Sequence, residues 1–219
     1  MSELTLVIGN KNYSSWSLRP WLLLKVAGIP FREVKVLFDQ PDTASTIARY
    51  SPSGRVPVLI DGAQPIWDSL AIAEYVAERF PEAGLWPADR ALRAKARSIS
   101  AEMHSGFQAL RNSLNMDIRG RYLKEWGADV QTDIDRILAI WKDCRSQAVG
   151  GRFLFGRFSI ADAMYAPVAT RFRTWPVKLD DVSAAYRDEI LALPAFREWE
   201  SESAGEPVVH RYQWTGPRR

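Results

Sequence analysis

Ser14 and Ser15 fall where a short apolar run ends and a longer one begins, inside the stretch NYSSWSLRPWLLL from Asn12 to Leu24. A serine at the head of a helix has two uses. Its oxygen can cap a free backbone N–H, or its hydroxyl can donate to an anion that also meets the remaining N–H groups and the positive end of the helix dipole. Residue types alone leave both uses open.

The flanking residues predict the elements that position this pair. Leu4-Thr5-Leu6-Val7-Ile8 reads as a buried strand, which Gly9 to Asn12 breaks. Trp16, Leu18, Trp21 to Leu24 and Val26 then run without a glycine until Gly28, which suits a well-buried helix. Phe31 to Val36 alternates like a strand with one polar face, and a short helical piece ends near Arg49. Ser51 to Gly62 places Pro57 at the entry of an apolar strand, where a missing N–H is tolerated. Asp61-Gly62 marks a hairpin turn, Gln64 to Trp67 the return strand, and Asp68 opens a helix that Pro81 stops. From Ala88 onward strand signals vanish. Helical patterns cover 88–120 and 124–148, then 160–173, 180–192 and 194–203, and the tail from Gly205 reads as extended over the surface. The shift near Leu85 to Ala88 sets two domains, 1–83 and 88–219.

Composition narrows the function classes. The 219 residues are 47% hydrophobic, enough to bury a real core, and Lys plus Arg exceed Asp plus Glu by only three, which argues against a nucleic-acid partner. No run reaches the ~20 apolar residues needed to cross a bilayer. With no basic n-region before an apolar core at the start, a cytoplasmic location is expected. The single cysteine, Cys144, excludes an internal disulfide and any CxxC centre and reads as a buried small hydrophobe.

An α/β half of strand, helix, strand, helix, strand, strand, helix, followed by an all-helical half, resembles the cytosolic glutathione transferase superfamily over essentially the full chain. SSWSLRPWLLL at 14–24, GRVPVLID at 54–61 and DSLAIAEYV at 68–76 carry the resemblance, and the first is most similar to the zeta class. It implies a thioredoxin-like glutathione-binding domain over 1–83 and an all-helical substrate-binding domain with a C-terminal tail over 88–219.

The resemblance also assigns roles. Ser14, with Ser15 in reserve, would activate the thiol of glutathione, the co-substrate, without histidine or metal. Lowering a thiol pKa of about 8.5 by two units takes about 2.7 kcal/mol. One hydrogen bond to a charged group, ~1.5–3 kcal/mol, and a helix N-terminus, ~0.3–2 kcal/mol, can supply it. Val56 and the cis-type turn at Pro57 would pair with glutathione as with an added strand, beside Trp16 and Arg55. Asp68 and Ser69 would hold its glutamyl end, with Ser69 able to cap the helix, and Gln108 and Asn112 would touch it from the helical half. Met103, Phe107, Leu110, Arg111 and Arg171 would face a hydrophobic or acidic electrophile, although the spacing of the three apolar residues is what any buried helical face shows. His104 reads as a surface or interdomain residue. Ser159 and Asp162 form a capping box assigned to structure.

The implied enzyme is a glutathione S-transferase of detoxifying type, expected as a homodimer through its third and fourth helices. Two departures from the zeta pattern stand out: Trp16 replaces its cysteine, and Pro20-Trp21 replaces a later valine and arginine. The alternatives are a maleylacetoacetate-type isomerase, a glutathione peroxidase, and a non-catalytic protein that kept the fold.

Overall fold

A computed structural model describes residues 3–148 and 150–218; Met1, Ser2, Val149 and Arg219, which include the first two residues and the last residue of the segments read above, lie outside the described residues. The first half runs β1 (Leu4–Ile8), α1 (Ser15–Val26), β2 (Arg32–Lys35), α2 (Thr43–Ala48), β3 (Val58–Asp61), β4 (Gln64–Ile66) and α3 (Ser69–Arg79). The sheet order is β2-β1-β3-β4, with β1 parallel to β2 and antiparallel to β3, and β3 antiparallel to β4. This is the thioredoxin-like arrangement the sequence predicts. β1 is buried along its whole length, as its unbroken apolar run requires.

The second half is helical: α4 (Arg90–Ser105), α5 (Gln108–Ser113), α6 (Ala128–Gln147), α7 (Ile160–Thr174), α8 (Asp181–Ala192) and α9 (Pro194–Ser203). α1 packs against α7, α3 and α9, which explains why its apolar residues face all round rather than along one stripe. α7 is buried through fourteen of its fifteen residues and is the axis of the helical half.

Two sequence expectations change here. The helix over 88–120 is two helices, because the chain turns at Gly106 and at Phe107, whose φ is +61°. A Cβ on Gly106 would stand 2.8 Å from the Glu102 carbonyl oxygen, so the break is built around the missing side chain. The tail is the second change. Val209 and Glu206 are buried, and Trp214 packs on Trp175 and Tyr122. Aromatic side chains that bury this much surface draw the segment into the fold.

Candidate functional site

The loop from Gly9 to Ser14 is clasped from both sides before it delivers the serines to α1. Asn10 Oδ1 accepts from the Phe38 amide at 2.7 Å. Asn12 donates to Asp117 Oδ1 at 2.9 Å and accepts from the Arg119 amide at 3.0 Å, so the helical half holds it. Glu206, from the tail, accepts from the backbone N–H groups of Lys11 at 2.8 Å and Asn12 at 3.0 Å. The Lys11 ammonium is fully buried, lies over the rings of Trp21 and Trp199, and pairs with Glu33 at 2.8 Å and with Glu202.

This loop opens onto a cleft of about 820 Å3 between the two halves. Tyr13, Ser14, Ser15 and Trp16 form one wall, Gly54, Arg55 and Val56 another, and Gln108, Arg111, Asn112 and Arg171 a third. The Val56–Pro57 bond is cis. The two serines are held differently. Ser14 caps α1: its oxygen accepts from the Ser17 amide at 3.4 Å and its hydroxyl donates to Ser17 Oγ at 2.7 Å. Ser15 Oγ accepts from Arg171 Nη2 at 3.3 Å.

Three arginines gather behind this wall. Arg19 is 1% exposed, donates to Ser69 Oγ at 3.4 Å, and leaves its Nε and Nη2 without partners. Its guanidinium and that of Arg111 both lie over the Trp16 ring, at 4.3 and 4.9 Å. Burial, then the charges of Arg111 and Arg171, lower the Arg19 pKa; burial and Arg111 lower that of Arg171 to about 9. The cost of holding these cations out of water is what a bound anion relieves. Among the charged residues that line the cleft, Arg55, Arg111, Arg171 and Arg211 face Asp39 alone.

Other residues singled out in the sequence lie elsewhere. Met103 and Leu110 are 1% and 0% exposed, and they pack with Phe107 in the core. None of the three lines the cleft. That corrects the reading of them as substrate contacts: their helical spacing reports a buried face. Asp68, not Ser69, caps α3, accepting from the Leu70 amide at 3.1 Å, and its other oxygen lies 2.9 Å from His104 Nε2. Ser69 is fully buried, and neither it, Asp68 nor Pro57 is a lining residue. Cys144 is buried in α6 and its thiol is pushed up to about 11 by burial, so it is inert at neutral pH. The Asp162 carboxylate completes the capping box with Ser159. Among the described residues no cluster of metal-ligating side chains occurs, and no helix is long and apolar enough to cross a membrane.

The site also contains residues that sequence patterns did not single out. Phe38 to Pro41, Asn115, Met116, Arg211 and Tyr212 all line the cleft. Their sequence separation is the reason: no local periodicity ties a tail tyrosine to the first strand-to-helix loop.

Comparison with known proteins agrees with this geometry. The glutathione S-transferase N-terminal domain family matches residues 13–79 and the C-terminal domain family matches residues 124–201. Glutathione S-transferase Z2 of Arabidopsis thaliana is 32% identical over 204 residues, covering 85% of this chain and 88% of that one. A probable maleylacetoacetate isomerase of Caenorhabditis elegans is 30% identical over 166 residues, covering 72% and 75%. A glutathione transferase homologue from Burkholderia, solved with bound glutathione, superposes with a TM-score of 0.70 at 23% identity, covering 94% of this chain and all of that one, and so supports the fold. Two matched domains, a serine-headed first helix and a cleft between the halves lead to one conclusion: the chain belongs to the cytosolic glutathione transferase superfamily, as a zeta-like glutathione S-transferase.

Proposed function

We propose that the protein binds glutathione along Val56 and the serine-bearing head of α1, ionises its thiol through a serine hydroxyl, and directs the thiolate at an electrophilic carbon of a small acidic or hydrophobic molecule. The observation that carries this reading is that the serine pair and Val56 open onto the same arginine-rich cleft. Residues 1–83 act as the glutathione-binding domain and 88–219 as the substrate-binding domain. Asp68, exposed at the head of α3, takes the glutamyl end, and Gln108 and Asn112 approach from α5.

In the reaction the thiol proton leaves to solvent and a sulfur–carbon bond forms. In conjugation the displaced electron pair departs with a leaving group. In isomerisation it moves onto a conjugated carbonyl oxygen, rotation follows, and the sulfur is expelled. The isomerase names of several relatives and the excess of arginines in the cleft favour an electrophile that carries a carboxylate. The protein acts in the cytoplasm as a homodimer, with α3 and α4 in the contact; the half-exposed Trp67 before α3 supplies apolar surface for it.

Incubation of the purified protein with glutathione and two electrophiles, one neutral and one a carboxylate, tests the reading by mass spectrometry of the products. Maleylacetoacetate turnover is followed in parallel. Glutathione-dependent consumption of the acid supports it. Binding of glutathione with no turnover of any of the three would replace it with the non-catalytic reading.

A further inference from the structure

The two neighbouring serines are not equivalent, and their hydrogen bonds divide the work between them. Ser14 has its oxygen on the Ser17 amide and its proton on Ser17 Oγ, and Ser17 Oγ in turn accepts from the Gly9 amide at 3.1 Å. That chain of bonds runs along the strand-to-helix turn and leaves the Ser14 hydroxyl engaged with the protein. Ser15 is arranged in the opposite sense. Its oxygen receives an N–H from the Arg171 guanidinium, and among the described residues no acceptor takes its proton. A hydroxyl whose oxygen accepts from a cation is polarised and becomes a stronger donor through its own hydrogen.

Arg171 is built for this position rather than for a ligand. It is 4% exposed and spends its three nitrogens on the Leu114 carbonyl at 2.8 Å, the Pro167 carbonyl at 3.2 Å and Ser15 Oγ. Arg111 is fixed by the carbonyls of Gly106, at 2.9 Å, and Met103, and adds positive charge on the same side, while Arg19 brings a buried guanidinium with two unpartnered nitrogens. The field at the Ser15 hydroxyl therefore favours an anion.

We propose that Ser15 is the catalytic hydroxyl that donates to the glutathione sulfur, that Arg171 is its positioning residue, and that Ser14 serves the turn. This rests on the transferase reading above and departs from the assignment that the zeta pattern implies for Ser14. The thiol proton goes to solvent and Ser15 keeps its own, shared with the thiolate. Arg171 acts on the sulfur through Ser15, so the acid group of an electrophile falls to Arg111, which is the more exposed of the two.

The experiment titrates protein-bound glutathione by thiolate ultraviolet absorbance in the wild type, Ser15→Ala, Ser14→Ala, Arg171→Met and Arg171→Lys. Binding of S-methylglutathione, which has no ionisable sulfur, is followed alongside by tryptophan fluorescence. The expected result is a wild-type thiol at least one pH unit below the free value, returned toward it in Ser15→Ala with a tenfold or greater loss of thiolate at neutral pH. Arg171→Met moves it the same way, Arg171→Lys recovers part, and Ser14→Ala lowers the melting temperature while the bound thiol stays acidic. S-methylglutathione affinity stays within threefold in Ser15→Ala. A thiol that rises in Ser14→Ala but not in Ser15→Ala overturns the assignment and leaves the transferase reading standing. Equal loss of glutathione and S-methylglutathione binding in Ser15→Ala also overturns it, since Ser15 would then only shape the site. An unshifted thiol in the wild type removes the transferase reading itself.

Discussion

Tyr212 stacks on Tyr13, with ring centroids 5.7 Å apart and planes 29° from parallel. The pair joins the tail to the residue just before the serines, and Phe38 meets the Tyr212 ring edge-on at 6.5 Å. The Tyr212 carbonyl accepts from Asn115 Nδ2 at 2.9 Å, so the ring is anchored to the helical half while it touches the α/β half.

Replacing Tyr212 by Ala removes this stack from the cleft wall. An aromatic pair is worth about 0.5–1.5 kcal/mol beyond its burial, so the KM for an aromatic electrophile is expected to rise about threefold to tenfold, with glutathione KM changed less. Steady-state kinetics with each substrate varied in turn checks this. An unchanged electrophile KM would show that the tail ring lies outside the path of the second substrate.

Glu206→Gln tests the grip on the loop. The carboxylate is buried, accepts two successive backbone N–H groups, and lies 3.3 Å from Lys35 Nζ. Hydrogen bonds to a charged group contribute about 1.5–3 kcal/mol, so a loss of that order is expected in urea unfolding. Kd for glutathione should weaken as well, because the serines sit at the end of the loosened loop.

Gly106→Ala places a methyl group 2.8 Å from the Glu102 carbonyl oxygen, which is backbone and cannot move aside cheaply. Overpacking of this kind costs about 1–3 kcal/mol. The strain falls at the head of α5, which carries Gln108, Arg111 and Asn112 into the cleft, so Tm and glutathione affinity are expected to fall together.

Asp162 gives a pH dependence of unusual sign. Four hydrogen bonds, from the Leu154 and Ser159 amides and the hydroxyls of Ser159 and Tyr186, favour its charged form, but burial outweighs them and pushes its pKa up to about 6 from 3.8. Between these values the folded state holds a proton that the unfolded chain has released. The contribution of this group to stability therefore falls as pH rises from about 4 to about 6 and is flat above. Asp162→Asn abolishes that slope, so the stability advantage of the wild type over the variant should narrow between pH 4.5 and pH 7 by about 2 kcal/mol. Urea unfolding of both proteins at pH 4.5 and pH 7 checks it; a gap that widens instead would mean the carboxylate is ionised throughout.

The elements that the chain writes locally were legible before the structure. Leu4 to Ile8 forms β1 as read, the Asp61-Gly62 turn joins β3 to β4, and Pro81 ends α3. These depend on runs, turn residues and breakers a few positions apart. Ser14 and Ser15 were legible as a pair, but not their different partners, because Arg171 reaches Ser15 from α7, 156 positions away. Met103 and Leu110 show the opposite failure. Their spacing is real, but a helix has two apolar destinations, and only packing tells a core from a cleft. Tyr212 and Arg211 were legible only as part of an extended tail, since a short aromatic segment joins a site through contacts that no periodicity encodes.

The buried Lys11 and the Glu206 clasp also set an order of events in biosynthesis. The loop that presents the serines is written near the start of the chain, yet the carboxylate that holds its amides comes 195 residues later. Domains fold largely in the order they leave the ribosome. The α/β half can therefore collapse on its emerging sheet while its serines wait, unfixed, for a tail not yet synthesised, and a chain that stops short of Glu206 would carry the right fold around a reactive centre never brought to register.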